Sequence, residues 1–135
     1  MTNILAIDYG AKRIGLAVNN MLGVVSPLDF VKNDSGKLAG LKQIIRERNI
    51  QKIILGLPIA LSGQEELAAQ KVRKFAGELT ALGLPVEFID ERLSTVEAHK
   101  RMLQYGISAK NRRPLADSLS AGILLEKYLQ YAAKK

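Results

Sequence analysis

The chain has 135 residues, 47% of them hydrophobic, and a formal net charge of +7, a size and composition that suit one compact domain over residues 1–135 with one core. It has no cysteine and one histidine, His99, which excludes disulfides and thiolate zinc sites and leaves little scope for imidazole metal centres or histidine-based catalysis. The charge excess is C-terminal: residues 1–91 carry 11 Lys+Arg against 10 Asp+Glu and residues 92–135 carry 9 against 3, the asymmetry that a nucleic-acid-binding face requires.

Along the chain, Ile4 to Ile7 is an apolar run of buried-strand type that ends on Asp8. Ile14, Leu16 and Val18 then alternate with small or polar residues, and the glycine-containing link between the two runs predicts a hairpin. Val24 to Val31 makes a third strand, which Pro27 restricts to an edge or an irregular end of the sheet. Leu38, Leu41, Ile44 and Ile45 recur at helical spacing between Lys37 and Arg48, and Ile53 to Leu57 is a short β-branched run stopped by Gly56 and Pro58. Ser62 and Glu65 form a capping-box pattern ahead of a helix from Gln64 to about Leu82, with Leu67, Val72, Phe75, Ala76 and Leu79 in its apolar stripe.

Val86 to Ile89 is the fifth strand, leading into Asp90-Glu91-Arg92 and a second capping box, Ser94 to Glu97, that opens a helix to about Tyr105. A basic link, Lys110-Asn111-Arg112-Arg113-Pro114, precedes a final helix from about Leu115 to Ala132. The order predicts an α/β fold with a mixed five-stranded sheet, a three-stranded antiparallel meander plus two parallel strands, flanked by helices. No stretch approaches the roughly 20 apolar residues of a membrane span, and no basic-then-apolar leader opens the chain. A cytoplasmic protein without a membrane partner is expected.

In such sheets, sites form beyond the carboxyl ends of the parallel strands, where Asp8 and the Asp90/Glu91 pair fall. An acid at the end of a buried strand loses solvation, a cost that a partner charge or a metal offsets; the plainer reading of Asp8 is a turn residue opening the hairpin. Asp117, near the start of the last helix, has its own local reading as a favourable charge at a helix N-terminus. Taken together, Asp8, Asp90 or Glu91, and Asp117 form an oxygen-only cluster suited to Mg²⁺ or Mn²⁺. A basic protein with such a cluster points to phosphodiester hydrolysis by two-metal chemistry, with no histidine or cysteine nucleophile needed. Lys12, Arg13, Arg92, Arg112 and Arg113 are the cations that would neutralise the backbone, Arg92 foremost because it adjoins the acids.

Ile7-Asp8-Tyr9-Gly10 with Lys12-Arg13-Ile14-Gly15, then Leu55-Gly56-Leu57-Pro58, Asp90-Glu91-Arg92-Leu93-Ser94-Thr95 and Asp117-Ser118-Leu119-Ser120-Ala121 resemble, in order and spacing, the YqgF/RuvX family from end to end. The resemblance implies an RNase H-like fold related to Holliday-junction resolvases and a nuclease role in maturing the 5′ end of pre-16S rRNA. It implies Asp8, Glu91 and Asp117 as the catalytic acids, with Asp90 a rival for the second position. Related resolvases carry their second acid after strand four, whereas here that strand ends in Gly56-Leu57-Pro58 and the acid moves to strand five. Asn19-Asn20, where the family often has Ser-Asp, and Ser120, where it more often has Ala, depart from the pattern without removing a ligand.

The partner expected is nucleic acid, either an rRNA precursor or branched DNA, because backbone contacts and metal chemistry serve both. A junction cut at two symmetric points would call for a homodimer. A non-catalytic assembly factor is the rival class; Tyr9 and Tyr105 are its few candidates for base stacking, so an aromatic platform for single strands is not expected. An actin-like ATPase reading of Asp8-Tyr9-Gly10 lacks the second domain and the phosphate loop that it would need.

Overall fold

A computed structural model describes residues 1–58, 66–91, 100 and 109–133, with side chains in the last span described from 118 to 132. The elements in chain order are β1 (Ile4–Tyr9), β2 (Arg13–Asn19), β3 (Val25–Lys32), α1 (Lys37–Glu47), β4 (Lys52–Leu57), α2 (Leu67–Thr80), β5 (Val86–Asp90) and α3 (Ala109–Ala133). They form one five-stranded sheet of order β3-β2-β1-β4-β5. β1 pairs antiparallel with β2 and β2 with β3, while β1/β4 and β4/β5 are parallel. The expected mixed sheet therefore forms, with β1 at its centre.

Strand β1 is apolar at every position from Ile4 to Ile7 because it is covered on both faces. Leu5 and Ile7 point into a large cluster with Ile14, Leu16, Ile53, Leu55 and the α1 and α2 side chains, among them Leu41, Val72, Phe75 and Leu79. Ile4 and Ala6 point the other way, into a smaller cluster with Ala17, Ile54, Ala121 and Leu125 under α3. β3 is an edge strand, as Pro27 requires; Pro27 pairs with Ala17, and the β2–β3 register shifts between Ile14 and Leu16.

Local chemistry closes the elements. Asn20 accepts from the Leu22 and Val24 N–H groups at 2.9 and 3.0 Å, holding the β2–β3 turn, in which Gly23 has φ +80. Asn19 is a buried clasp: its Oδ1 accepts from the Ile4 N–H at 2.8 Å and its Nδ2 donates to the Thr2 carbonyl at 2.9 Å. Asn49 ends α1 at φ 52.

Three sequence expectations change. Gly56 does not stop β4 but lies within it, opposite Ile89. The described part of α2 begins at Leu67 rather than Gln64, and Leu67, expected in the stripe, is 65% exposed, since the buried face runs through Ala69, Val72, Phe75, Ala76 and Leu79. The basic segment Lys110 to Pro114 is helical backbone within α3, not a link. Pro114 withholds one N–H from the helical ladder there. Both capping boxes and, apart from Lys100, the helix expected to run to Tyr105 lie outside the described residues.

Candidate active site

Alternation along the strands assigns each acid to a face. In β1, Asp8 follows Ile4 and Ala6 onto the α3 side, while Tyr9 follows Leu5 and Ile7 onto the other side, where its ring lies 4.4 Å from that of Phe75. Tyr9, one of the two tyrosines named as candidates for base stacking, thus packs against the larger core. Asp8 is half-buried, and its cross-strand partner is Gly15, so that no side chain stands directly beside it on β2.

At the other side of β1 the same face is opened by a second glycine. A Cβ on Gly56 would lie 2.6 Å from Glu91 Oε2 and 2.8 Å from Leu124 Cδ1, so the Glu91 carboxylate occupies the space that a side chain on β4 would take. The Glu91 N–H donates to the Leu57 carbonyl at 3.3 Å, which extends the β4–β5 pairing by one residue and holds the carboxylate in this register. Asp90 alternates to the opposite face with Phe88, which packs against the larger core and has the Arg73 guanidinium of α2 over its ring at 5.0 Å. Asp8 and Glu91 therefore share a face, and Asp90 does not join them.

Ser118 is buried on α3, and its hydroxyl accepts from the Leu16 N–H at 3.4 Å. Leu16 adjoins Gly15, the partner of Asp8. Asp117 precedes Ser118 on the α3 backbone; its side chain, like those of Arg112 and Arg113, lies outside the described residues, as does Arg92 altogether. Among the described residues no three His, Cys, Asp or Glu side chains group closely enough to hold a metal ion. Asp8 and Glu91 are hard oxygen donors, the chemistry that Mg²⁺ and Mn²⁺ select, and the glycines at 15 and 56 keep side chains out of the space between their strands.

The cations are set on the same rim. Arg13, two residues before Gly15, is the diagonal cross-strand neighbour of Asp8, which puts the two about 7–8 Å apart on one face. Lys12 occupies the β1–β2 turn, where the Gly10 N–H donates to the Arg13 carbonyl at 2.9 Å. A Cβ on Gly10 would come within 2.4 Å of that carbonyl oxygen, so the turn requires glycine there. The sequence marks Gly56 as a strand stop and Ser118 as part of a motif, but neither as a site residue; a glycine inside a β-branched strand is the available signal for the first, and nothing local signals the role of the second.

A family model described as RuvX: Holliday junction resolvase matches residues 2–131. Proteins named "Putative pre-16S rRNA nuclease" are similar over nearly the whole chain. That of Dictyoglomus thermophilum is 39% identical over 130 residues, covering 93% of this chain and 94% of the relative. That of Endomicrobium trichonymphae is 40% identical over 134 residues, covering 96% of each. Among solved structures, Thermus thermophilus RuvC in complex with a Holliday junction substrate superimposes with a TM-score of 0.61 at 17% identity, over 98% of this chain and 96% of that one. The fold is RNase H-like.

Proposed function

Since the chain belongs to the RuvX family of Holliday junction resolvases, we propose that it is a divalent-metal-dependent endonuclease whose residues 1–135 act as one nuclease domain on structured RNA in the cytoplasm, trimming the 5′ end of pre-16S rRNA. The observation that carries the chemistry is the Glu91 carboxylate lodged in the space left by Gly56, on the face that bears Asp8. Asp8 and Glu91 would hold the metal, and Asp117 would supply the third carboxylate from α3. Support for Asp117 is its place one residue before Ser118, whose hydroxyl meets β2 beside the partner of Asp8.

Bound Mg²⁺ or Mn²⁺ supplies acidity to an attacking water and charge stabilisation to the leaving oxygen. The chain's own part is positional. Half-buried carboxylates on rigid strand ends fix the reacting phosphate against one face of the sheet, and Arg13 and Lys12 neutralise the strand where it crosses β1 and β2. Arg92, Arg112 and Arg113 are assigned to the remaining backbone contacts. Homodimerisation belongs to this reading for a junction substrate, which needs two cuts.

The test is side-by-side cleavage of a precursor 16S rRNA 5′ fragment and a four-way DNA junction with Mg²⁺ or Mn²⁺. The wild type is expected to cut the RNA faster. Asp8→Asn should lower the rate by roughly 10³-fold or more, the equivalent of several kcal/mol of charge stabilisation, while retaining binding. Preferential cutting of the junction would move the substrate assignment to DNA, and a wild type that cuts neither overturns the enzyme reading.

A further inference from the structure

A cleft of about 390 Å³ opens between the β1–β2 turn and the end of β3, lined by Lys12, Arg13, Phe30, Lys32, Asn33 and Asp34, with Arg13 the residue that joins it to Asp8 across β1 and β2. It lies on the rim that carries the catalytic candidates. Lys32 pairs with Arg13 across the β2–β3 ladder and so shares the α3 side with Arg13 and Asp8, while Phe30 lies in the register shift between Leu28 and Val31, which both pack into the larger core, and the Arg13 guanidinium over its ring puts it on Arg13's side. Across the sheet that face therefore reads Phe30 and Lys32, then Arg13, then Asp8, then Glu91.

The cleft is built rather than incidental. Asn33 ties its two walls together: its Nδ2 donates to the Gly10 carbonyl at 2.8 Å and its backbone N–H donates to the Lys12 carbonyl at 3.0 Å. With the Gly10–Arg13 turn bond, these hold the Lys12 backbone in one conformation. Phe30 is half-buried with its ring in the cleft, and the Arg13 guanidinium stands 5.8 Å from the ring centroid. Three cations face one acid, and that acid, Asp34, directs Oδ1 to the Gly36 N–H at 2.9 Å.

We infer that this cleft receives one unpaired nucleotide of the substrate strand, its base on the Phe30 ring beside Arg13 and its phosphate between Lys12 and Lys32. The inference rests on the nuclease reading and adds a substrate feature to it, a single-stranded segment next to the cut. An aromatic ring stacks on any base, and a planar guanidinium does the same while carrying charge. Paired bases cannot present a face to such a ring without leaving their stack. The volume is at the low end of ligand pockets, which suits one nucleotide and not a duplex.

Binding is measured by fluorescence anisotropy in the Asp8→Asn background, so that no cleavage intervenes, with two probes: a blunt RNA duplex, and the same duplex carrying a short single-stranded extension. The extended probe should bind more tightly. Phe30→Leu, which keeps apolar bulk and removes the ring, should cost the extended probe roughly tenfold in affinity, the size of one lost base–aromatic stack, and leave the blunt probe unchanged. Phe30→Trp should restore the preference. Equal affinity for the extended probe with and without the Phe30→Leu substitution, or the same loss on both probes, overturns the inference while leaving the nuclease reading intact. Failure to bind either probe overturns both.

Discussion

The two faces of the sheet divide the work of the molecule. The face under α1 and α2 is built from large side chains, Leu5, Ile7, Ile53, Leu55, Phe75 and Leu79 among them, all essentially inaccessible to solvent. The face under α3 has a smaller apolar cluster with Ala6, Ala17 and Ala121, and its polar residues include Asp8, Arg13, Glu91, Ser118 and the Lys52–Glu87–Tyr128 group. Small residues let the helix come close, and glycines at 15 and 56 leave room for carboxylates at one end. Large apolar side chains are concentrated on the first face, and the charged residues of the candidate site stand on the second.

Substitutions on the two faces should separate these roles. Phe75→Ala, on the larger core, removes a ring that is 1% exposed and packed against Tyr9. It should lower unfolding stability by about 3–5 kcal/mol in urea denaturation, while the residual folded fraction keeps its specific cleavage rate. Comparable loss of rate per folded molecule would show that the two faces are not independent.

Gly56→Ala, on the α3 face, should behave in the opposite sense. The new Cβ meets Glu91 Oε2 and Leu124 Cδ1 below van der Waals distance, so the carboxylate must turn away. A stability cost of about 1–3 kcal/mol for overpacking should accompany a larger proportional loss of cleavage and of Mn²⁺ affinity measured by calorimetry. Retention of both would remove Glu91 from the site.

The smallest effect belongs to the far end of the same face. Lys52 Nζ donates to the Tyr128 hydroxyl at 2.6 Å, and that hydroxyl donates to Glu87 Oε2 at 3.2 Å, joining β4, β5 and α3. The hydrogen bond to Glu87, and then that to Tyr128, holds the Lys52 ammonium above its ordinary value of 10.5. A group whose value is raised on folding contributes stability that is fully present below its unfolded value and is lost as pH climbs through the folded one. Glu87 is half exposed, with its side chain 51% accessible, so solvent screening limits Lys52→Met to a loss of about 1 kcal/mol or less. The wild type should lose this advantage above about pH 10.5; an unchanged difference between the two proteins from neutral to alkaline pH would assign the effect to packing.

Much of this architecture was legible in the residues. The β-branched runs, the helical spacing of Leu38, Leu41, Ile44 and Ile45, and Pro27 on an edge strand each follow from local periodicity or a missing N–H, and the structure agrees. The acids and the cationic turn could be named from their positions at strand ends. The choice between Asp90 and Glu91 could not, because adjacent residues on a strand point to opposite faces and the faces are defined only once β5 is paired to β4. Phe30 was equally silent: in the sequence it is one apolar residue of a strand, and its exposure depends on a register shift and on what α3 leaves uncovered.

From composition and order alone came the element types, the mixed sheet, the oxygen-only acid set and the basic bias, since propensity, periodicity and charge are properties of neighbouring residues. Tertiary structure alone decided that Glu91 and Asp8 share a face, that Gly56 is a space rather than a stop, and that the cations of the first hairpin flank the acids. Those facts depend on pairing between strands distant along the chain, and a shift of one residue in that pairing would reverse every one of them.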